Sequence, residues 1–301
     1  MKAVYTLEDL VSRETLDAGA EKPARLAVIG QPVAHSASPG MHQPALDALG
    51  IDARYIRLDV SPGEVPTAFA RMRALGFIGT NVTVPHKLEA MAACGDVHAD
   101  ARALGAVNTV RFDADGVTRG FNTDGPGFAR AIDDLFSTPL STLRVAVLGA
   151  GGGAGQAIAT TCAMQQVPRL VVVNRSAEKL DALVPRLRAH APHIEIDAVT
   201  FGDAARLAEL VAGCDLVVNA TSVGLKAGDP PVVPAECLRP EQFVNDTIYQ
   251  PAVTPLMMLA ADLGCRTANG LPLLLHQGIL AFQHWFPGTQ PDAAMRSALG
   301  L

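Results

Sequence analysis

Five glycines crowd into seven positions, Gly149, Gly151, Gly152, Gly153 and Gly155, directly after the apolar run 145–148. Glycine reaches backbone dihedrals closed to other residues and lets a second backbone or a ligand come close, so such a run ends a strand in a tight turn. A strand running into Gly149-x-Gly151-x-x-Ala154 and then a helix-compatible stretch is the fingerprint of a turn whose free N–H groups hold a pyrophosphate at a helix N-terminus. Gly149, Ala150, Gly151, Gly152 and Gly153 are the residues expected there. A glycine turn used only for packing is the plainer alternative, and it leaves the flanking strand and helix unexplained. Residues 145–168 carry no charge and could span a bilayer by length, but the glycines make a membrane helix the poorer reading.

The end of the next strand, 170–173, sets the choice of dinucleotide. A carboxylate about 20 residues beyond the fingerprint would bond a ribose 2′-hydroxyl. Here Val173 leads instead into Asn174-Arg175-Ser176, with Lys179 on the following turn. Guanidinium, hydroxyl and ammonium together suit a 2′-phosphate, so NADP is expected over NAD, and Glu178 is the feature in this loop that pulls the other way. Without the strand context, Arg175 and Lys179 would read as a solvated i,i+4 pair on a helix face.

Composition narrows the partners. With 24 Lys and Arg against 30 Asp and Glu, the net charge of the 301-residue chain is -6. Nonspecific nucleic-acid binding needs many cations displacing counterions, so that role is excluded as a global property. Only five of the basic residues are Lys (Lys2, Lys22, Lys87, Lys179 and Lys226), and only Lys among them can give up a proton when its surroundings are tuned. The five cysteines are widely spaced and odd in number, which fits a reducing cytoplasm. Glu8, Asp9, Glu14 and Asp17 precede any long apolar run, unlike a secretory or transit peptide. His35, His42, His86 and His98 are scattered, so packing or surface histidines are expected rather than a metal site.

The chain alternates strand and helix. Residues 1–24 read as an extension with one helix near 7–11. Residues 26–30 read as a buried strand, and Ser38-Pro39 opens a helix with Ser38 as N-cap. Residues 54–60 form a strand with Ile56, Leu58 and Val60 on one face. Ser61-Pro62-Gly63-Glu64 supplies a capping box for a helix ending near Leu75. Residues 78–84 and 106–112 are further strands, and Asp115-Gly116 turns the chain back. The second half has strands at 145–148, 170–173, 194–199, 216–219 and 243–244, more uniformly apolar than those of the first half, as in a parallel sheet covered by helices on both faces. A last apolar helix covers 271–286.

Three polar clusters interrupt apolar contexts at strand ends in the first half: Ser36 and Ser38; Asn81, Thr83 and Lys87; and Asn108 with Asn122-Thr123-Asp124. Ser, Thr and Asn offer neutral hydrogen bonds suited to a small hydroxylated ligand, and the serines suit a carboxylate. Plainer roles compete: Ser38 as a cap, Asn81 and Thr83 as water-facing strand positions, Lys87 as an exposed helix start. Hydride reduction of a carbonyl needs a proton for the new alkoxide, and Lys87 or Asp124 can supply or relay it. Desolvation lowers a lysine pKa and a nearby carboxylate raises it, so the sequence leaves open which of the two carries the proton.

The order and spacing of Gly30-x-Pro-x-x-His-Ser36-x-Ser38-Pro, Asn81-Val-Thr-Val-Pro-His-Lys87, Gly105-Ala-Val-Asn108-Thr, Asn122-Thr-Asp124-Gly, the Gly149 loop, Asn174-Arg-Ser, Asn219-Ala-Thr-Ser, Tyr249-Gln and Gln277 resemble the shikimate dehydrogenases from about Leu26 to Phe286. The resemblance implies an α/β fold: an N-terminal α/β substrate domain (25–123 and 270–301), an inserted Rossmann-type NADP-binding domain (124–269), and C-terminal helices returning to the substrate domain. It implies NADP-dependent, reversible reduction of 3-dehydroshikimate to shikimate in the shikimate pathway. Residues matching Ser36 and Ser38 hold the substrate carboxylate; those matching Thr83, Asn108, Tyr249 and Gln277 line the same pocket; and Lys87 and Asp124 match the catalytic pair, Asp124 also facing substrate. Thr247 and Gly270 are further residues it implies for cofactor binding. This chain has Gly155-Gln156 where many members carry a basic residue, Ile248 where Met or Leu often precedes the tyrosine, and Pro272 in place of a second glycine after Gly270.

Other readings are a quinate/shikimate dehydrogenase using NAD or NADP, and a catalytically silent sensor of a polyol acid. Ser36, Ser38 and the Asn-Arg-Ser loop favour the first reading over the quinate one, and retention of both Lys87 and Asp124 argues against the sensor. A generic dinucleotide-binding module fails to explain Ser36, Ser38 and Thr83. Family members occur as monomers and homodimers, and no heptad or long apolar seam selects one.

Overall fold

The computed structural model describes residues 2–301. Among them, twelve strands build two six-stranded sheets, and the chain divides into two units, one comprising Met1–Thr123 and Gln277–Leu301, the other Asp124–His276.

In the first unit, β1 (Ala24–Gly30), β2 (Arg54–Asp59), β3 (Gly79–Val82), β4 (Asp96–Val97), β5 (Thr109–Phe112) and β6 (Thr118–Phe121) lie in the order β2-β1-β3-β5-β6-β4. β1 runs parallel to β2 and β3, and β5 is antiparallel to both β3 and β6. The chain leaves β1 outward to β2 and then crosses to β3 on the other side. That reversal opens a crevice above the carboxyl ends of β1 and β3, where α/β sheets characteristically bind ligands. Ala27, Ile29, Ile56, Leu58, Val82 and Val110 share one buried layer with Phe69 and Met72 of the helix Val65–Ala74.

Residues 2–24, expected as an extension, are built into this unit. Tyr5 forms a bridge to Leu58, its N–H donating to Arg57 O at 2.9 Å and its carbonyl accepting from Asp59 N at 2.8 Å. β2 is an edge strand, and its open backbone groups are what the segment covers. Tyr5, Leu10 and Leu16 are buried in the core. The guanidinium of Arg54 fastens the segment through Tyr5 Oη (2.7 Å), Leu16 O (3.1 Å) and Asp17 Oδ1 (3.0 Å).

Helix starts also differ from expectation. The helix Ser38–Ala48 takes Ala37 as its N-cap, and the next begins at Val65 rather than within 61–64. There Glu89, from the helix Lys87–Ala93, accepts from the N–H groups of Gly63 and Val65 at 3.0 Å each, so a distant carboxylate caps this helix start.

The second unit stacks β7 (Val145–Leu148), β8 (Arg169–Asn174), β9 (Glu195–Thr200), β10 (Leu216–Asn219), β11 (Phe243–Asp246) and β12 (Arg266–Ala268) in the order β12-β11-β10-β7-β8-β9, all parallel. This is the order of doubly wound dinucleotide-binding sheets. Val145, Val147, Leu170, Val172, Leu216 and Val218 enter one core layer, and Ala146, Leu148, Val171, Val173 and Val217 the opposite one. Two buried faces are why the central strands β7, β8 and β10 carry unbroken apolar runs at 145–148, 170–173 and 216–218. The uncharged stretch 145–168 is β7, a turn and the helix Gly153–Met164, and no helix among the described residues is long and apolar enough to cross a membrane. The chain returns to the first unit inside the helix Leu271–Trp285, several residues beyond the boundary expected at 270.

Leu16→Ala is expected to lower the unfolding free energy by about 2–5 kcal/mol, measured by urea denaturation. A change under about 0.5 kcal/mol, the size of an ordinary surface substitution, would mean that the N-terminal segment is only loosely attached.

Candidate active site

Hydrogen bonds between neutral side chains run across the carboxyl ends of the first sheet. Ser36 Oγ donates to Ser38 Oγ at 3.2 Å, and Ser38 N donates back to Ser36 Oγ at 3.3 Å. Because Ala37 takes the cap position, the Ser38 hydroxyl is released from capping. Tyr55 Oη donates to Asn81 Oδ1 at 2.6 Å. Asn81 Nδ2 donates to Thr109 Oγ1 at 3.2 Å, Thr109 Oγ1 to Asn108 Oδ1 at 3.1 Å, and Asn108 Nδ2 to Thr123 Oγ1 at 3.0 Å. Ser38, Tyr55, Asn81, Thr109, Asn108 and Thr123 are all buried, and each is tolerated there because its neighbours satisfy it.

Thr83 leaves the end of β3 half-buried. Its N–H donates to Ile29 O at 2.9 Å, and its methyl occupies the space a Cβ at Gly30 would need, 2.5 Å away. Lys87 is the first residue of its helix and half-buried. A cation there opposes the helix dipole, and a position that breaks a local rule is more often functional than structural. The helix start is anchored by His86 Nε2 on Val60 O (2.7 Å), by the Glu89 caps, and by Val107 N on Lys87 O (3.1 Å). The last bond sets Lys87 beside the strand that begins after Asn108. Asp124 follows Thr123 and opens the helix Asp124–Phe136, where a carboxylate is favoured. Ser36, Ser38, Thr83, Lys87, Asn108 and Gln277 belong to the first unit, Asp124 and Tyr249 to the second.

The second unit carries a cleft of about 430 Å³ lined by Gly149, Gly151, Gly152, Asn174, Arg175 and Lys179, with Phe201 and the 221–223 loop opposite. Gly149 holds φ at +86°, and a Cβ on Gly155 would collide with Gly149 O, so the turn closes only with glycine at both positions. A Cβ on Gly151 would lie 2.5 Å from Asn174 Nδ2. Such a cradle, with a helix start behind it and two cations at its rim, fits a phosphorylated dinucleotide. The N–H groups of Gly149 and Ala150 both donate to Val173 O, at 2.8 and 2.9 Å, and Ala150 is fully buried, so these two shape the turn rather than offer donors to a ligand. Gly153 opens the helix that follows.

Ser176 caps the helix Ala177–His190: its Oγ accepts from Lys179 N at 3.3 Å and donates to Glu178 Oε2 at 2.5 Å. That bond holds the Glu178 carboxyl below its usual range and engages it within its own turn. Thr247 and Gly270 are brought together, since a Cβ on Gly270 would collide with Thr247 O. Asp246 fixes the loop carrying Thr247 and Tyr249: it accepts from Asn219 Nδ2 (3.0 Å), Thr254 Oγ1 (2.7 Å) and Ile248 N (3.0 Å). Burial pushes its pKa up, against those bonds.

Sequence reasoning missed Tyr55 and Arg57, and it quoted Asn219-Ala-Thr-Ser as a motif without placing Thr221 and Ser222 in the cleft. The available signal was the alternate phase of β2: with Ile56 and Leu58 in the core, Tyr55 and Arg57 must face the other way.

The family model of the shikimate dehydrogenase substrate binding domain matches residues 28–110, and that of the saccharopine dehydrogenase NADP binding domain matches residues 145–261. A shikimate dehydrogenase (NADP(+)) of Symbiobacterium thermophilum is 40% identical over 281 residues, covering 91% of this chain and 92% of its own. Among solved structures, shikimate 5-dehydrogenase from Thermus thermophilus in complex with NADP(H) and shikimate is 35% identical with a TM-score of 0.80, covering 92% of this chain and 98% of that one. Quinate dehydrogenase from Corynebacterium glutamicum in complex with NAD is 31% identical with a TM-score of 0.82, covering 92% and 98% respectively. Identity at this level along nearly the whole of both chains, on a matching fold, means that this chain belongs to the shikimate dehydrogenase family.

Proposed function

We propose that this chain is a cytoplasmic, NADP-dependent oxidoreductase that interconverts 3-dehydroshikimate and shikimate, a step of aromatic amino-acid biosynthesis. The observation that carries the reading is the row of neutral hydrogen-bonding side chains from Ser36 to Thr123 at the crevice between β1 and β3, with Lys87 anchored next to it. A ligand with one carboxylate and several hydroxyls suits such a surface, and a single ammonium suits one oxygen that changes charge during the reaction.

Ser36 and Ser38 hold the substrate carboxylate through their hydroxyls. Thr83, Asn108, Tyr249 and Gln277 bind the ring hydroxyls, and Asp124 joins them. Gly151 and Gly152, on the turn that Gly149 closes, cradle the pyrophosphate of the cofactor, Asn174, Arg175 and Lys179 take the adenosine side with its 2′-phosphate, and Thr247 and Gly270 stand at the nicotinamide end. Bound NADPH supplies the hydride. Lys87 and Asp124 act as a pair on the oxygen that alternates between carbonyl and hydroxyl, giving its proton in one direction and accepting it in the other. The cysteines are free, in keeping with a reducing compartment.

A quinate-directed, NAD-using reading is supported by likeness to the Corynebacterium protein. Against it, Arg175 and Lys179 line the cleft, and Glu178 is tied to Ser176 instead of offering a carboxylate to a ribose.

Lys87→Ala should lower kcat at least about a hundredfold while the KM for shikimate stays within about threefold, measured by initial rates of NADPH formation; turnover within threefold of the parent would remove its role. Arg175→Ala should raise the KM for NADP about 10- to 100-fold, the worth of a hydrogen bond to a charged group, and leave NAD within about threefold. Equal losses for both cofactors would remove the 2′-phosphate assignment. A matrix of initial rates with shikimate and quinate against NADP and NAD tests the whole reading, and activity with quinate and NAD alone would overturn it.

A further inference from the structure

The helix Ser38–Ala48 begins at the serine pair, and the helix Leu271–Trp285 carries Gln277. Ser38 and Gln277 both belong to the first unit. Met41 and His42 lie one turn beyond Ser38, which puts the three on one face of their helix, and all three are buried. That face meets the second helix at Gly278, directly after Gln277. A Cβ on Gly278 would lie 2.2 Å from Met41 Cε and 3.1 Å from its Sδ, with His42 Nε2 at 3.6 Å, whereas two carbons in contact stay ~3.5–4.0 Å apart. Met41 is fully buried, so its methyl has no solvent to move into.

The rest of this helix is fixed on the same unit. Phe282, one turn beyond Gly278, stacks on His42 at 6.2 Å with 6° between planes, and His42 stacks in turn on Tyr55 at 4.6 Å and 3°. Trp285 Nε1 donates to Val110 O at 2.9 Å, in space that a Cβ at Gly79 would fill, and Arg111 Nη1 donates to His284 O at 3.0 Å. The far end is thus bound to β3 and β5, and next to Gln277 the helix rests on Met41 through Gly278. Glycine in a helix interior is destabilising relative to alanine; here it brings the two helices closer than a residue with a side chain would allow.

We propose that Gly278 is a positioning residue for substrate recognition: by letting the two helices close on each other, it sets the distance between Gln277 and the hydroxyls of Ser36 and Ser38, so that one substrate meets both. A methyl at Gly278 would force the contact apart by ~1 Å, and a hydrogen bond lengthened by that much is lost. The proposal rests on shikimate being the substrate and on Gln277 binding it.

The test measures initial rates of Gly278→Ala. The KM for shikimate is expected to rise about fivefold, the worth of one hydrogen bond between neutral groups. The kcat should stay within about threefold and the KM for NADP within about twofold of the parent, since the cofactor cleft belongs to the other unit. A shikimate KM within about twofold of the parent overturns the proposal. Two further variants separate positioning from general damage. In a Gln277→Ala background, which itself should raise the shikimate KM about fivefold, Gly278→Ala should add less than about twofold, because both changes remove one interaction; factors that multiply overturn the proposal. Met41→Leu keeps the apolar volume but is one atom shorter, so Gly278→Ala combined with Met41→Leu should return the shikimate KM to within about twofold of the parent. A KM that stays raised in this pair overturns the proposal as well. Should Gly278→Ala alone not fold, the pair decides: it has to fold and bind shikimate like the parent, and failure in either respect overturns the proposal. A parent active on shikimate whose KM is untouched by Gln277→Ala removes Gln277 from the site, whereas a parent without shikimate activity overturns the functional reading; the proposal falls with either.

Discussion

Ser36 donates to Ser38, and Tyr55 donates to Asn81, from which the bonds pass through Thr109 and Asn108 to Thr123. The links from Tyr55 to Asn81, Asn81 to Thr109 and Asn108 to Thr123 each join different strands or strand ends, so this polar row exists only while the sheet keeps its register. Asn81 must face Thr109, and Thr109 must face Phe121. A slip of one residue would turn every side chain to the other face and leave several buried polar groups unpaired, at about 1–3 kcal/mol each. The polar row and the register of the first sheet are thus a single constraint, and the apolar layer of the sheet enforces it.

The second unit solves recognition differently. Its sheet is apolar on both faces, so no strand interior can present polar side chains without a penalty, and recognition moves to the loops at the carboxyl ends. Backbone carries the task in the Gly149 turn, where Gly149 and Ala150 N–H are consumed by Val173 O and the following helix start is left to face an anion. Charge enters only at the rim, from Arg175 and Lys179. A chain that is net acidic by six charges can therefore still offer a local anion site, because such a site needs a few oriented donors and not a basic surface.

What the sequence revealed follows the same division. Strands buried on both faces announce themselves as unbroken apolar runs, and β7 and β10 are found at the bounds read from them. Short edge elements such as β4, only Asp96–Val97, and β12, Arg266–Ala268, carry no such run; they exist because a neighbouring strand offers backbone partners, which is a tertiary fact. The N-terminal segment looked like an appendage for the same reason: Tyr5, Leu10 and Leu16 are too sparse to form a pattern, yet β2 gives them an edge to cover. Polar residues at strand ends were conspicuous as chemistry. Tyr55 was not, since an aromatic in a strand reads as core until its hydroxyl is seen to have a partner.

The imbalance between nineteen arginines and five lysines now has a physical reading. Arg13 reaches Ala24 O and Leu75 O, Arg54 reaches Lys22 O and Leu16 O, Arg71 reaches Leu7 O, and Arg239 reaches Ala212 O and Cys214 O. Arg57 does the same for Ser36. In each case a planar fork of donors clips one segment's carbonyl to another, a task that suits guanidinium far better than ammonium. Lys2 and Lys22 pair with Asp9 and Asp47 through ammonium groups on exposed side chains, contacts that contribute little. The structural cations are thus arginines, held charged at all accessible pH. Guanidinium cannot give up a proton as ammonium can, and Lys87 stands on a helix start anchored by His86, Glu89 and Val107. The choice of cation thus separates the arginines that clip carbonyls across this fold from the lysine proposed above, with Asp124, to exchange a proton.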